Sequence, residues 1–496
     1  MQIGPELAFL QFWGRSALVT ASGAVLNGRL TVLWRFVPEP TGSAMMSHHS
    51  FLIGKRLLKT GIVTRGGLVN KDALVVGLAL FAMFFGAGNL IFPPFLGMES
   101  GWEWPLGLAC FVFVDVVISC IGIVAINQAG GSILSIEGVL GKRPALVLNT
   151  AAILCTGVLI ASPRTAATTY EMSVAPLLGD WIGLLPFSLL FFAVVLLLAL
   201  RPTRIVDIVG KVLTPVLVAG IAIMVIAGIV SPLGPVTAPE TATVVADGIS
   251  AGYQTMDILA VVGFAIIVQE SVRAAGYADG KSQLSVTARA SLVACVLLAL
   301  VYGGLTYLGA TAATVVPHDV NQATLITLIT EQLMGRVGLV VLGIVVGFAC
   351  LTTAVGLVGA TAAYMERITD RRVSYRAALI AVVVIALAIC NLGLTNIINL
   401  AAPVLSVICP PFMITVVLML FRRRIRSTWT FKGAALAAVA ASLVLTVHDV
   451  TGLFSFVEAA PLFAYGFSWL PPALAGALAG AILGRKFDPR RITAAA

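Results

Sequence analysis

Charge is scarce in this chain: only 11% of its 496 residues are Asp, Glu, Lys or Arg, against roughly a quarter in an ordinary soluble domain. A protein kept in solution by a charged surface is excluded. Histidine is scarcer still, with His48, His49, His318 and His448 forming the whole set and no spacing that would gather them around a metal. The seven cysteines (Cys110, Cys120, Cys155, Cys295, Cys350, Cys390 and Cys409) are odd in number, unpaired in spacing and set in apolar runs. They read as small apolar side chains, not as disulfides or metal ligands. No nucleophile-elbow or zinc-protease pattern occurs. The stretch Gly276-Tyr277-Ala278-Asp279-Gly280-Lys281-Ser282 falls one residue short of a phosphate loop and lacks the strand that should precede it.

What is present is apolar: 59% of residues are hydrophobic and the mean hydropathy is +1.03. Runs long enough to cross a bilayer, about 20 residues each, fall near 73–95, 105–127, 147–170, 182–200, 205–230, 251–270, 287–314, 338–364, 377–393, 395–420, 433–450 and 464–484. The expectation is an all-α polytopic membrane protein with twelve transmembrane helices. All 31 Lys and Arg except Arg164 and Arg336 then lie on one side, while the opposite loops carry Glu99, Glu103, Glu171, Asp180, Glu240, Asp247, Asp319, Glu331, Asp449 and Glu458. By the positive-inside rule both termini are cytoplasmic. One missed or invented span would scramble this alternation. The net charge of +9 is therefore a matter of topology, and no nucleic-acid partner need be invoked. Residues 1–70 are interrupted by Arg15, Arg29 and Arg35 and read as a disordered or mis-started cytoplasmic extension, with Met45 and Met46 as candidate starts. No obligate protein partner is evident.

The first span holds Phe84-Phe85-Gly86-Ala87-Gly88-Asn89-Leu90-Ile91-Phe92-Pro93-Pro94. Glycine frees the backbone, and proline removes a donor and restrains its predecessor. In lipid every N–H and C=O needs a partner, so such a break survives only where it lines a cavity or is buried in protein. Five spans later comes Gly252-Tyr253-Gln254-Thr255-Met256-Asp257. Two weakened spans five apart are what a five-plus-five inverted repeat produces, here 71–230 and 251–420, with 421–496 supplying two further helices and a short cytoplasmic end. The loop from Asn321 to Met334 has apolar residues at helical spacing and reads as an amphipathic lid.

The strings LFAMFFGAGNLIFPPFLG (80–97), ASPRTAATTYE (161–171), TMDILAVVGFAIIV (255–268), ACLTTAVGL (349–357) and NLGLTNII (391–398) resemble the branched-chain amino acid:cation symporter family, the system II carriers of bacteria. The resemblance covers about residues 70–420. It implies a LeuT-type fold in the bacterial inner membrane and uptake of leucine, isoleucine and valine driven by a sodium or proton gradient.

A zwitterionic solute with an aliphatic tail asks for an anion site and a cation site. Amides at the start of a half-helix, where the macrodipole is positive, suit a carboxylate, and Gly86, Ala87, Gly88 and Asn89 stand there; the alternative is that Gly86 and Gly88 serve close helix packing. Around the second break Tyr253, Gln254, Thr255 and Asp257 are candidates for binding the substrate, with Asp257 facing its ammonium, taking part in proton or cation coupling, or capping the second half-helix. The A-x-x-T-T pattern of Ala349, Thr352 and Thr353 offers hydroxyl oxygens, though such hydroxyls commonly bond back to the preceding turn. The family resemblance implies that these residues hold sodium together with the carbonyls of Ala82 and Phe85. Asp115 reads as a structural pairing or a proton relay, and Arg164 as snorkelling near the outer surface or gating against an acid. No covalent chemistry and no organic cofactor are expected. The rival readings are a carrier of another small apolar solute, a membrane enzyme or a channel; the scarcity of histidine and of buried acids disfavours the enzyme, and pore-lining polar rings would mark the channel.

Overall fold

The computed structural model describes residues 20–26, 29–35, 71–131, 134–200, 218–317, 319–425 and 427–487. Two seven-residue strands, β1 (Thr20–Leu26) and β2 (Arg29–Arg35), pair antiparallel. Apart from them the expectation for residues 1–70 lies outside the described residues, as do His48, His49, His318 and the start of the fifth span with Arg201, Arg204 and Lys211. From Lys71 onward the described chain is helix and connecting loop.

The first span is two helices, α1 (Lys71–Phe84) and α2 (Ala87–Ser100), parted at Phe85 and Gly86. Then follow α3 (104–128), the short α4 (Leu134–Leu140), α5 (Lys142–Leu178), α6 (Leu184–Leu200) and α7 (Val218–Val230). The sixth span is again divided, into α8 (Val244–Thr255) and α9 (Asp257–Ala274), bent by 46° at Met256. The remainder are α10 (Gly280–Ala312), α11 (Gln322–Ile368), α12 (Tyr375–Cys390), α13 (Leu394–Leu420), α14 (Thr428–Thr451) and α15 (Leu470–Phe487). Among the described residues, six helices are long and apolar enough to cross a membrane, seven if the bent pair is one span, and α6, α7, α12 and the apolar part of α15 are shorter. Leu189, Leu190, Leu197, Leu300 and Leu436 lie exposed on outward faces, as side chains that meet acyl chains must.

Residues 322–334 form the expected helix, opened by Asn321, whose Oδ1 accepts from the amides of Ala323 and Thr324. Its apolar face, with Ala323, Leu325, Ile326, Ile329 and Thr330, is buried against the protein, while Glu331 and Gln332 are exposed. It turns into the eighth span at Gly335, φ 64°, a left-handed angle that glycine adopts without a Cβ penalty.

α10 packs along both halves of the first span and brings them to one wall. Its crossing with α2 depends on two glycines: a Cβ at Gly97 would strike the Thr306 carbonyl, and one at Gly309 the Pro94 carbonyl. At so close an approach α10 keeps lipid away from this proline-bearing stretch of α2, which is where irregular backbone is tolerated at membrane depth. Gly309→Val should therefore lower the unfolding midpoint in detergent by the equivalent of about 1–3 kcal/mol or more, while Gly263→Ala, with nothing within 4 Å of the added carbon, should shift it little. Equal midpoints for the two variants would contradict this crossing.

Candidate functional site

The helix breaks bring their ends together. α2 starts at Ala87 behind Gly86, whose backbone is extended (φ −115°, ψ −173°), and no side chain caps its first turn. A helix start leaves its first amides without intrahelical partners, so those of Ala87, Gly88 and Asn89 present the positive end of a dipole. α9 starts at Asp257 behind Met256, held left-handed at φ 65°. That angle is unusual for a side-chain-bearing residue, and surrounding structure must enforce it.

Asn89, 2% exposed, spans the gap between the breaks. Its Nδ2 lies 2.9 Å from Asp257 Oδ2, 2.5 Å from the Tyr302 hydroxyl of α10 and 3.4 Å from Asp115 Oδ2 of α3. The Thr255 hydroxyl donates to Asp115 Oδ1 at 2.6 Å. Asp115 sits in a π-helical turn, Phe113–Val117, an irregularity that re-aims a side chain and recurs at functional sites. Phe111 and Phe85 pack on Tyr302 with ring centroids at 5.3 and 6.3 Å. Polar groups enclosed this way hold each other strongly and cost much if left unpaired.

Arg164 is not at the outer surface. It is 4% exposed, because α5 runs Lys142–Leu178, longer than one bilayer crossing, and Arg164 falls well inside it. Its Nη1 donates to the Gln254 carbonyl at 2.5 Å, at the electronegative end of α8. The guanidinium lies over the Phe92 ring, 5.4 Å from the centroid, and close beside Gly88. Helix end, aromatic face and the Asp257 charge together hold the buried cation.

Of the candidate residues, Asn89, Thr255 and Asp257 converge. Asp257 does not cap α9; its carboxyl turns to Asn89. The side chains of Tyr253 and Gln254 point elsewhere: Tyr253 receives the Trp469 indole N–H at 3.1 Å, and Gln254 Nε2 donates to the Ile398 carbonyl at 3.3 Å. The hydroxyls of Thr352 and Thr353 both donate to the Ala349 carbonyl, at 2.9 and 3.0 Å. Their lone pairs stay free, so this bond leaves a hard-oxygen role open. The carbonyls of Ala82 and Phe85 belong to the last turn of α1 and the break, where intrahelical donors run out. α1 packs chiefly on α10 and α9, whereas α11 packs on α2 and α5, so the two halves of this cation set rest on different neighbours. Sequence reasoning noticed Asp115 without fixing its role, and set Arg164 near the outer surface. Tyr302 it missed, since a tyrosine inside an apolar run carries no signal.

A family model described as branched-chain amino acid transport protein matches residues 69–487. The chain belongs to that family. The carrier is 33% identical over 434 residues to the branched-chain amino acid permease BraB of Bacillus subtilis, covering 85% of this chain and 97% of that one. Among solved structures it resembles Mhp1 in an inward-facing conformation (TM-score 0.59, 15% identity, 87% of this chain and 96% of that one). It also resembles a Na+-coupled sialic acid symporter in a substrate-bound outward-open state (TM-score 0.54, 14% identity, 83% and 90%). At such identities these two show fold alone, and the fold is LeuT-type. The carrier is thus a multi-pass bacterial membrane transport protein and not an enzyme.

Replacing Arg164 by Met should cost about 3–5 kcal/mol, the range for breaking a buried ionic arrangement from one side, and Arg164→Lys should recover only part because an ammonium lacks the planar fork. Thermal unfolding in detergent measures both. A midpoint unmoved by Arg164→Met would show that the guanidinium holds nothing.

Proposed function

We propose that the carrier imports branched-chain amino acids (leucine, isoleucine and valine) by alternating access, with sodium as the preferred coupling ion over a proton. The observation that carries this reading is the pairing of an uncapped helix start, Ala87 to Asn89, with a buried carboxyl, Asp257, across one polar contact. A zwitterion needs those two poles. Its carboxylate would meet the first amides of α2 beside the Arg164 guanidinium, and its ammonium would meet Asp257 and the last carbonyls of α8. Phe85 and Phe92 supply apolar surface for the aliphatic tail. The permease named for BraB supports the substrate class, and the Na+-coupled neighbour supports the ion.

In this reading the chain crosses the membrane twelve times with both ends cytoplasmic, and the two broken spans open the halves of a five-plus-five inverted repeat. The first, second, sixth and seventh spans (α1, α2, α3, α8, α9 and α10) move as one bundle around the Asn89 cluster, against the remainder, a scaffold that includes α5 and α11. Thr352 and Thr353, with Ala349 and the carbonyls of Ala82 and Phe85, hold sodium when bundle and scaffold close on each other. Sodium binding there favours the state that receives the solute, and coupling equals the difference in its affinity for the two states.

Radiolabelled leucine uptake into proteoliposomes, with sodium and proton gradients imposed separately, tests this. A sodium gradient should drive accumulation, and uptake indifferent to both gradients contradicts symport. The double substitution Thr352→Ala with Thr353→Ala should raise the sodium concentration for half-maximal uptake at least tenfold; an unchanged requirement removes these residues from the ion site.

A further inference from the structure

We propose that Asp115 and Asp257 together hold one exchangeable proton, and that this proton crosses the membrane with the solute alongside sodium. The proposal rests on the carrier reading above. Both Oδ2 atoms lie within 3.4 Å of a single nitrogen, Asn89 Nδ2, so two buried carboxyls crowd around one amide. Two ionised carboxylates buried around one amide repel each other, and a proton on one of them removes that repulsion. The titratable and charged groups facing the pair are the Arg164 guanidinium from α5, the Tyr302 hydroxyl from α10 and the Cys120 thiol from α3. One cation stands against two carboxyls, so one bound proton brings the enclosure to neutrality. Asn89, Thr255 and Tyr302 already occupy the oxygens' surroundings; a proton is the ligand that needs no cavity.

A second, independent observation supplies a route. Ser119 lies one turn beyond Asp115 on the same face of α3, is 0% exposed, and its hydroxyl has no hydrogen-bond partner among the described residues. Two turns further, both amide atoms of Asn127 are equally unpartnered. Across from them on α10 the buried Ser291 hydroxyl is unpartnered too, and its carbonyl accepts from Cys120 Sγ at 3.5 Å, beside Ser119. Buried polar groups nearly always have partners, and a file of unpaired ones is what ordered water satisfies. The file leads from the carboxyl pair toward the Gln128 end of α3, the end followed by Lys142 and Arg143 and hence cytoplasmic. Release along it breaks one carboxyl O–H bond, passes the proton to a water beside Ser119 and leaves the carboxylate; reloading reverses the step from the other side.

The test uses the full chain in proteoliposomes, with equal saturating sodium on both sides and the potential clamped at zero by valinomycin and equal potassium. An interior one pH unit more alkaline than the outside should concentrate leucine up to about tenfold, one decade per unit for one proton. Asp115→Asn should take that ratio to 1. Ser119→Val should slow the approach to the final ratio several-fold without changing it, since a path affects rate and not equilibrium. Sodium-driven uptake without pH-driven accumulation in the wild type overturns the proton site and leaves the carrier reading standing; this arm decides even if Asp115→Asn does not insert. An Asp115→Asn carrier that still concentrates leucine tenfold also overturns it. Absence of leucine movement under either gradient overturns both readings together.

Discussion

The side-chain amide of Asn89 ties the two interruptions of the membrane-spanning backbone to each other, and the rest of the site depends on that bond. Bare peptide groups are forbidden against lipid, so a break is tolerated only where something polar answers it. Here each break answers the other. The start of α2 contributes Asn89, the start of α9 contributes Asp257, and they meet at 2.9 Å. With α3 and α10 adding Asp115 and Tyr302, four helices converge on one nitrogen. An Asn amide has two hydrogens; with three acceptors around it, the arrangement is easily re-partitioned when a solute or proton arrives.

Arg164 plays the complementary part. The Asn89 cluster joins helices of the proposed bundle among themselves, whereas Arg164 reaches from α5 to the Gln254 carbonyl and the Phe92 face and so joins bundle to scaffold. Gln254 makes a second such link through its side-chain amide to Ile398 of α13. These bonds are directional and few, set within otherwise apolar packing. Rocking one body past the other thus means exchanging a small number of polar contacts, which is the kind of two-state element that a bound solute can bias.

Much of this was legible in the residues. Gly86, Gly88 and the proline pair Pro93-Pro94 announced the first break, and Gly252 with Asp257 the second, because backbone permissiveness and an acid at membrane depth are costly unless used. Arg164 was misplaced because apolarity marks where a span is solvated by lipid, not where a helix begins and ends. α5 extends well past its apolar run, and depth measured from the run's edge put a buried cation near the surface. Asp115 was visible but undirected, since its aim comes from a π-turn that nothing in FVDVV signals. Tyr302 was silent: one aromatic among many, given meaning only by the tertiary approach of α2 to α10. The segment 322–334 was rightly helical, yet its apolar face could not tell burial in protein from burial in a membrane surface. The threonine pair is a sodium-ligand pattern by family resemblance and a back-bonding pair by residue type; both hydroxyls do bond back to Ala349, and the ion role proposed for them rests on their remaining lone pairs.

The most direct test of the account is a density map of the carrier with leucine bound in saturating sodium. The account predicts the leucine carboxylate within about 3 Å of the amides of Ala87, Gly88 or Asn89, with the ammonium toward Asp257 and the end of α8. Leucine bound away from both breaks, with Phe84 to Pro94 wound into one continuous helix, would contradict it.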